Sequence, residues 1–237
     1  MFEAPDFYSH GTKIQDRELR FCPSRAPLSP YENITTCVSC GAFSIFCCAH
    51  NDESATKDLA CHHFKLIMVD GACPGNGGPN ARAGVGIAWG NRPSMQYSLP
   101  LTDVEDPGQK RSNQRAELYA ALRALVLYSD NCKADLRREA LEASSRHADL
   151  KTSSEWIIAS DSEYLVKGMT EWLPKWKNQG MRLNNGSVPA NLDLFVAIDE
   201  QMVELEERFP CVIGFWHIRR EFNTLADELA REGAEMV

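Results

Sequence analysis

"IMVDGACPGNGG", residues Ile67–Gly78, puts an acid at the end of an apolar run and follows it with a glycine-rich turn. A phosphate-cradling loop would close on Gly-Lys-Ser/Thr, because the lysine and hydroxyl serve phosphate and metal. Pro79-Asn80 stands there instead. The dinucleotide fingerprint fails as well: Gly75 and Gly77 have no partner glycine at position 80, and no helix pattern begins. What remains is a strand, Phe64 to Val69, that delivers Asp70 to its end, then a turn into a second strand, Ala83–Trp89. A lone Asp after a strand equally caps a turn. Its meaning depends on whether other acids converge on it.

Outward from this stretch, three strand-like runs come first: Lys65–Val69, Ala83–Trp89 and Met95–Leu101. The short turns between them predict an antiparallel meander. An Ala- and Leu-rich helix is expected over Asn113–Tyr128, with Ser112 or Asn113 as N-cap. Residues 131–154 are charged, lack β-branched runs and read as a partly helical insertion. "WIIAS", Trp156–Ser160, reads as a buried strand ending at Asp161, followed by a helix over Ser162–Met169. A helix over Asn191–Arg208, a strand over Cys211–Ile218 and a final helix from Asn223 follow. Strand–helix alternation after a meander predicts a mixed α/β sheet with helices packed on it.

The chain has 237 residues, 43% hydrophobic and 24% charged, ordinary for a globular protein. No apolar run approaches the roughly 18 residues of a membrane span. The start, MFEAPDFYSH, has neither the basic opening nor the apolar core of a signal peptide, and its acidity argues against a transit peptide. An intracellular, reducing setting is the expectation. A net charge of −8 argues against a general charge-driven nucleic-acid binder, though not against an enzyme with a local basic surface.

Residues 1–63 form a separate Cys/His-containing leader, partly irregular, with four prolines in its first 30 residues. It holds six of the nine cysteines, Cys22, Cys37, Cys40, Cys47, Cys48 and Cys61, with His50, His62 and His63 among them. Cys37 and Cys40 have the spacing of half a tetrahedral zinc site, with Cys47, Cys48, His50 or Cys61 to supply the rest. Plain thiols are the preferred alternative, since the second half has no matching pair.

Four acids can now be placed: Asp70 and Asp161 at strand ends, Glu117 early in the first helix and Asp227 in the first turn of the last. Ligands of open α/β sheets gather outside strand ends, where helices begin. Clustered carboxylates repel unless cations sit among them, and oxygen-only ligation suits magnesium or manganese. Two such ions about 4 Å apart can activate water in phosphodiester cleavage. Each acid alone has a bland reading, as a turn cap or a partner of a helix dipole.

"VDGACPGNGG", "SNQRAELYAALRAL", "SDSEYLVKGMTEWLPKWKNQG" and "NTLADELA" together resemble type I ribonuclease H, in the same order and at comparable spacing, over about residues 64–236. The resemblance implies the ribonuclease H-like fold, a five-stranded mixed sheet flanked by helices, in a domain over 64–237 interrupted at about 131–154. It also implies an endonuclease that cuts the RNA strand of RNA–DNA hybrids with two Mg2+ ions, or Mn2+, leaving 5′-phosphate and 3′-hydroxyl ends. Asp70, Glu117, Asp161 and Asp227 match the four metal-binding catalytic acids. Asn76, Asn113 and Gln114 match residues facing the hybrid's minor groove, where amides read 2′-hydroxyls. Glu171–Gly180 resembles a projecting handle, anchored in the core by Trp172 and Trp176, and Lys167, Lys175, Lys177 and Arg182 on and around it supply a modest positive patch that would meet phosphates.

Two departures accompany the match. The family's histidine-bearing loop is replaced by "RREF", Arg219–Phe222, and His217 falls inside the last strand, where it reads as structural. No hybrid-binding domain is recognisable in residues 1–63. The alternative reading is a non-catalytic nucleic-acid-binding module on the same fold, which four clustered acids disfavour. A monomer with no membrane association is expected.

Overall fold

The structure, a computed structural model, describes residues 11–46, 62–142 and 154–237. The start of the leader, Cys47, Cys48, His50, Cys61 and the centre of the 131–154 insertion lie outside the described residues.

The five expected strands are present: β5 (Phe64–Ala72), β6 (Ala83–Ala88), β7 (Gln96–Leu101), β8 (Ser154–Ser160) and β9 (Cys211–His217). β5, β6 and β7 form the antiparallel meander, and β5, β8 and β9 run parallel. β5 is buried along almost its whole length, as a strand covered on both faces must be, which is why it reads as a continuous apolar run. It runs past Val69 through Ala72 because Asp70, Gly71 and Ala72 still pair with Gly86, Val85 and Gly84.

The sheet is wider than five strands. The leader adds β1 (Lys13–Gln15), β2 (Glu18–Arg20), β3 (Ile34–Thr36) and β4 (Phe43–Ile45), giving nine among the described residues. The proline-rich start of the leader reads as irregular, yet residues 13–20 form a hairpin whose second strand pairs in parallel with β9 through Glu18 and Phe215. Arg17 secures it with a two-pronged ion pair to Glu206 and a 3.0 Å bond to the Ile213 carbonyl. The β3–β4 hairpin extends the sheet beside the start of β5, with Ser44 opposite Lys65. A short helix, α1 (Pro30–Asn33), precedes β3.

Helices cover both faces. On one lie α2 (Asn113–Glu142), α3 (Glu163–Lys167) continuing through a π-helical turn at Gly168–Trp172 into α4 (Leu173–Asn178), and α5 (Leu192–Arg208). Their core includes Ile67, Val69, Leu118, Leu125, Trp156, Ile158, Phe195 and Ile198. Alternate residues, Leu66, Met68, Ile157 and Ala159, face a second core with Ala226 of α6 (Thr224–Glu235) and the leader's Leu19 and Ile45. This period of two is what a sheet buried on both sides requires. α2 runs unbroken past Tyr128 into the insertion, whose Ala-, Leu- and Arg-rich start favours helix. Among the described residues, no helix is long and apolar enough to cross a membrane.

Glycines decide how closely helices meet the sheet. A Cβ on Gly84 or Gly86 would fall 2.0 Å from backbone atoms of α6, and one on Gly71 would fall 2.2 Å from the Glu117 backbone nitrogen. These contacts draw α2 and α6 onto the strands beside Asp70.

Candidate functional site

Each acid arrives by a different route. Asp70 is held at β5 by its pairing with Gly86, and its Oδ1 accepts a 2.8 Å bond from the Gly71 N–H. Glu117 lies in the second turn of α2, whose start is capped by Ser112: its Oγ accepts from Arg115 N at 3.3 Å. That turn is braced by Arg115, whose buried guanidinium grips Asp106 at 2.6 and 2.7 Å and Asp193 at 2.6 Å. Asp161 follows β8, and Asp227 rides in the first turn of α6.

Two neutral side chains aim these acids. Ser162 donates to Glu117 Oε2 at 2.5 Å while its oxygen caps α3, accepting from Leu165 N at 3.2 Å. Fully buried Asn223 donates through Nδ2 to Asp161 Oδ1 at 2.8 Å and to the Val69 carbonyl at 3.0 Å, tying β5, β8 and α6 together. Asp227 is flanked by Arg220 at 2.7 Å and Arg231 at 2.6 Å. Asn223 and Ser162 are not evident as site residues from sequence, because an Asn or Ser before a helix reads as a cap. The signal is positional: each lies within four residues of a site acid.

The electrostatics bind the four acids into one cluster. Burial, then the charge of Asp161, pushes Asp70 up to about 7, with Asp227 and Glu117 adding to it. Burial and Asp161 also raise Glu117, against the pull of Ser162. Arg220 feels Asp227, Asp161 and Asp70 and is raised in turn. The oxygens remain splayed: among the described residues, only Cys37, Cys40 and His62 form a group of three or more whose ligand atoms all lie within 4.8 Å of one another.

Of the expected substrate residues, Asn76 and Asn113 meet at the rim. Asn76 Oδ1 accepts from Asn113 N at 3.0 Å, Asn113 Oδ1 accepts from Cys73 N at 3.1 Å, and Asn113 Nδ2 donates to Glu117 at 3.2 Å. Gln114 is exposed beside them. The lysines differ among themselves. Lys167 pairs with Glu163 at 2.8 Å and Lys177 with Asp199 at 2.5 Å, whereas Lys175 projects from α4 into solvent. Trp176 is buried and Trp172 packs against the same core, the anchoring role expected of them. His217 differs from its structural reading: it stands exposed at the end of β9, its Nε2 3.3 Å from the Asp161 carbonyl oxygen.

Comparison with known proteins bears on this arrangement. The sequence model of the family described as RNase H matches residues 63–235. Ribonuclease H of Schizosaccharomyces pombe is 31% identical over 78% of this chain and 58% of its own length. Ribonuclease H1 of Mus musculus is 31% identical over 72% of this chain and 50% of its own. The chain thus spans little more than half the length of these two relatives. Ribonuclease H of Pseudomonas paraeruginosa is 32% identical, with 71% of this chain covering 91% of that protein. A foamy viral protease-reverse transcriptase solved in complex with RNA/DNA hybrid shares the fold at a TM-score of 0.51 and 20% identity, over 79% of this chain and 22% of that one.

Proposed function

The chain belongs to the RNase H family, and we propose that it hydrolyses the RNA strand of RNA–DNA hybrids as an endonuclease, leaving 5′-phosphate and 3′-hydroxyl ends. The observation that carries this reading is the meeting, at one rim of the sheet, of four carboxylates from four separate segments. Asp70 feels Asp161, Asp227 and Glu117, and burial with their charge holds it near 7. Such a cluster costs the fold stability unless cations join it.

An all-oxygen donor set fits hard divalent ions, magnesium first and manganese in its place. Asp70, Glu117, Asp161 and Asp227 would hold them. When bound, such ions supply a water of lowered pKa and charge for the leaving oxygen.

The chain's own residues do the rest. Asn223 and Ser162 fix the directions of Asp161 and Glu117. The Asn76–Asn113 pair and Gln114 offer amides to the minor groove, where a 2′-hydroxyl distinguishes RNA from DNA. Lys175 offers a phosphate contact that sets register and carries no sequence information. We place this activity in a monomer working inside the cell.

The test is incubation of the purified protein with labelled RNA–DNA hybrid, duplex RNA and duplex DNA, in magnesium or in EDTA. Only the RNA of the hybrid should be cut, and only in magnesium. Asp161→Asn, nearly unchanged in volume, should abolish cutting while leaving the melting transition intact. An Asp161→Asn protein as active as the wild type overturns the assignment. A hybrid bound yet uncut by the wild type would support a non-catalytic binding module instead.

A further inference from the structure

The leader's turn between β3 and β4 reads Cys37-Val38-Ser39-Cys40-Gly41, and it is built around sulfur. Gly41 N donates to the Cys37 carbonyl at 2.7 Å, Cys37 N donates to the Ala42 carbonyl at 2.9 Å, and Ala42 N points at Cys40 Sγ at 3.5 Å. Gly41 sits at φ +80°, and a Cβ there would fall 2.5 Å from Asn91 Oδ1, so the turn requires glycine. A backbone N–H aimed at a cysteine sulfur is the kind of outer support that orients a thiolate ligand.

Into this turn comes a residue from elsewhere in the chain. His62, just before β5, places Nε2 3.7 Å from Cys40 Sγ. The Cys37 and Cys40 sulfurs and the His62 ring nitrogen all lie within 4.8 Å of one another. Zinc bonds of about 2.3 Å to sulfur and 2.0–2.1 Å to nitrogen, at tetrahedral angles, put sulfur and nitrogen about 3.6 Å apart. The Cys40–His62 spacing of 3.7 Å is close to that value.

We propose that Cys37, Cys40 and His62 bind one zinc ion, with a fourth position open to water or a further ligand, and that the ion clasps the β3–β4 hairpin to the start of β5. Thiolate and imidazole donors select zinc over magnesium, so this site and the acidic rim draw on different ions. The two lie apart on the same strand: Asp70 is six residues beyond Phe64, about 20 Å along extended chain. The clasp is therefore structural, closing the connection from Cys40 to His62.

The experiment uses the full chain, purified in a phosphine reductant and dialysed against metal-free buffer. Elemental analysis should find close to one zinc per chain. Cobalt exchanged for zinc should give both the thiolate charge-transfer band and the visible bands of tetrahedral cobalt; cobalt at the carboxylates alone would lack the first. Cys37→Ser, Cys40→Ser and His62→Gln should each weaken zinc binding, read by competition with a chromophoric chelator, on the order of a hundredfold or more, since even outer-shell changes cost 10–100-fold. Added zinc should raise the melting temperature of the wild type and not of the variants. Zinc-free wild type without the charge-transfer band overturns the proposal, and so do variants that hold zinc as the wild type does.

Discussion

Gly71→Ala adds one methyl group at the point where β5 and α2 touch, and the structure sets what it must cost. The new Cβ would stand 2.2 Å from Glu117 N, 2.3 Å from the Ala116 carbonyl carbon and 2.8 Å from Ala116 Cβ. Ordinary contact begins near 3.4 Å, so strand and helix must separate by about 1 Å. Two of the three obstructing atoms are backbone, so no side chain can swing aside. Overpacking of this kind costs about 1–3 kcal/mol. At about 2–4 °C per kcal/mol for a chain of this size, the melting temperature should fall by roughly 2–12 °C. The shift also carries Glu117 away from Asp70, and a displacement of about 1 Å in a catalytic group costs on the order of a hundredfold. The assay pairs a thermal melt with single-turnover cleavage of a labelled hybrid at saturating magnesium. Gly11→Ala is the control, because a Cβ there meets nothing within 4 Å. A Gly71→Ala protein that melts and cleaves like the wild type would refute the claim that this glycine sets the distance between the two acids.

A second expectation concerns pH in the absence of metal. Asp70 and Glu155 are each pushed up to about 7, chiefly by burial. A carboxyl raised above its unfolded value keeps its proton in the folded chain where the unfolded chain has lost it, so this contribution to stability is present at low pH and lost as pH rises from about 4 to 7. In EDTA, Asp70→Asn should therefore melt increasingly above the wild type as pH rises through that window, leaving the share of Glu155 in place; a difference that is flat with pH would contradict it. A third expectation concerns the handle. In the Asp161→Asn background, Lys175→Ala should lower the slope of log affinity against log salt for hybrid by about one, while Lys177→Ala, already paired with Asp199, should change it less. Equal slopes for the two variants would show that the ion pair does not decide which lysine meets phosphate.

The five central strands and the helices on them were legible because burial on both faces writes long apolar runs such as "KLIMV" and "WIIA". The acids were legible because each sits where a strand stops or a helix starts. The leader's strands were not. β1 to β4 have three residues each, too few to display an alternation, and they are strands because β9 and β5 offer them an edge. The π-helical turn over Gly168–Trp172 was hidden for a related reason: Gly168 has no side chain because Phe195 of α5 presses on it, a contact with no local signature. Asn223 joins three elements distant in sequence, and His62 reaches a cysteine 22 residues before it. Such partners are set by tertiary structure, so neighbouring residues give no hint of them.

The pairing of β2 with β9 has a consequence in time as well as in space. Arg17 and Glu206, which fasten the leader to the far side of the sheet, stand 189 residues apart. A ribosome makes the hairpin long before it makes the strand that will receive it. Through that interval the hairpin has no edge to dock on, and its Ile14 and Leu19 wait without the core they later join. The entropy of closing so long a loop grows only with the logarithm of its length, so the delay prevents nothing. It does fix an order: the leader settles after β9 exists, and a docked leader reports that the distant strand has been made and folded.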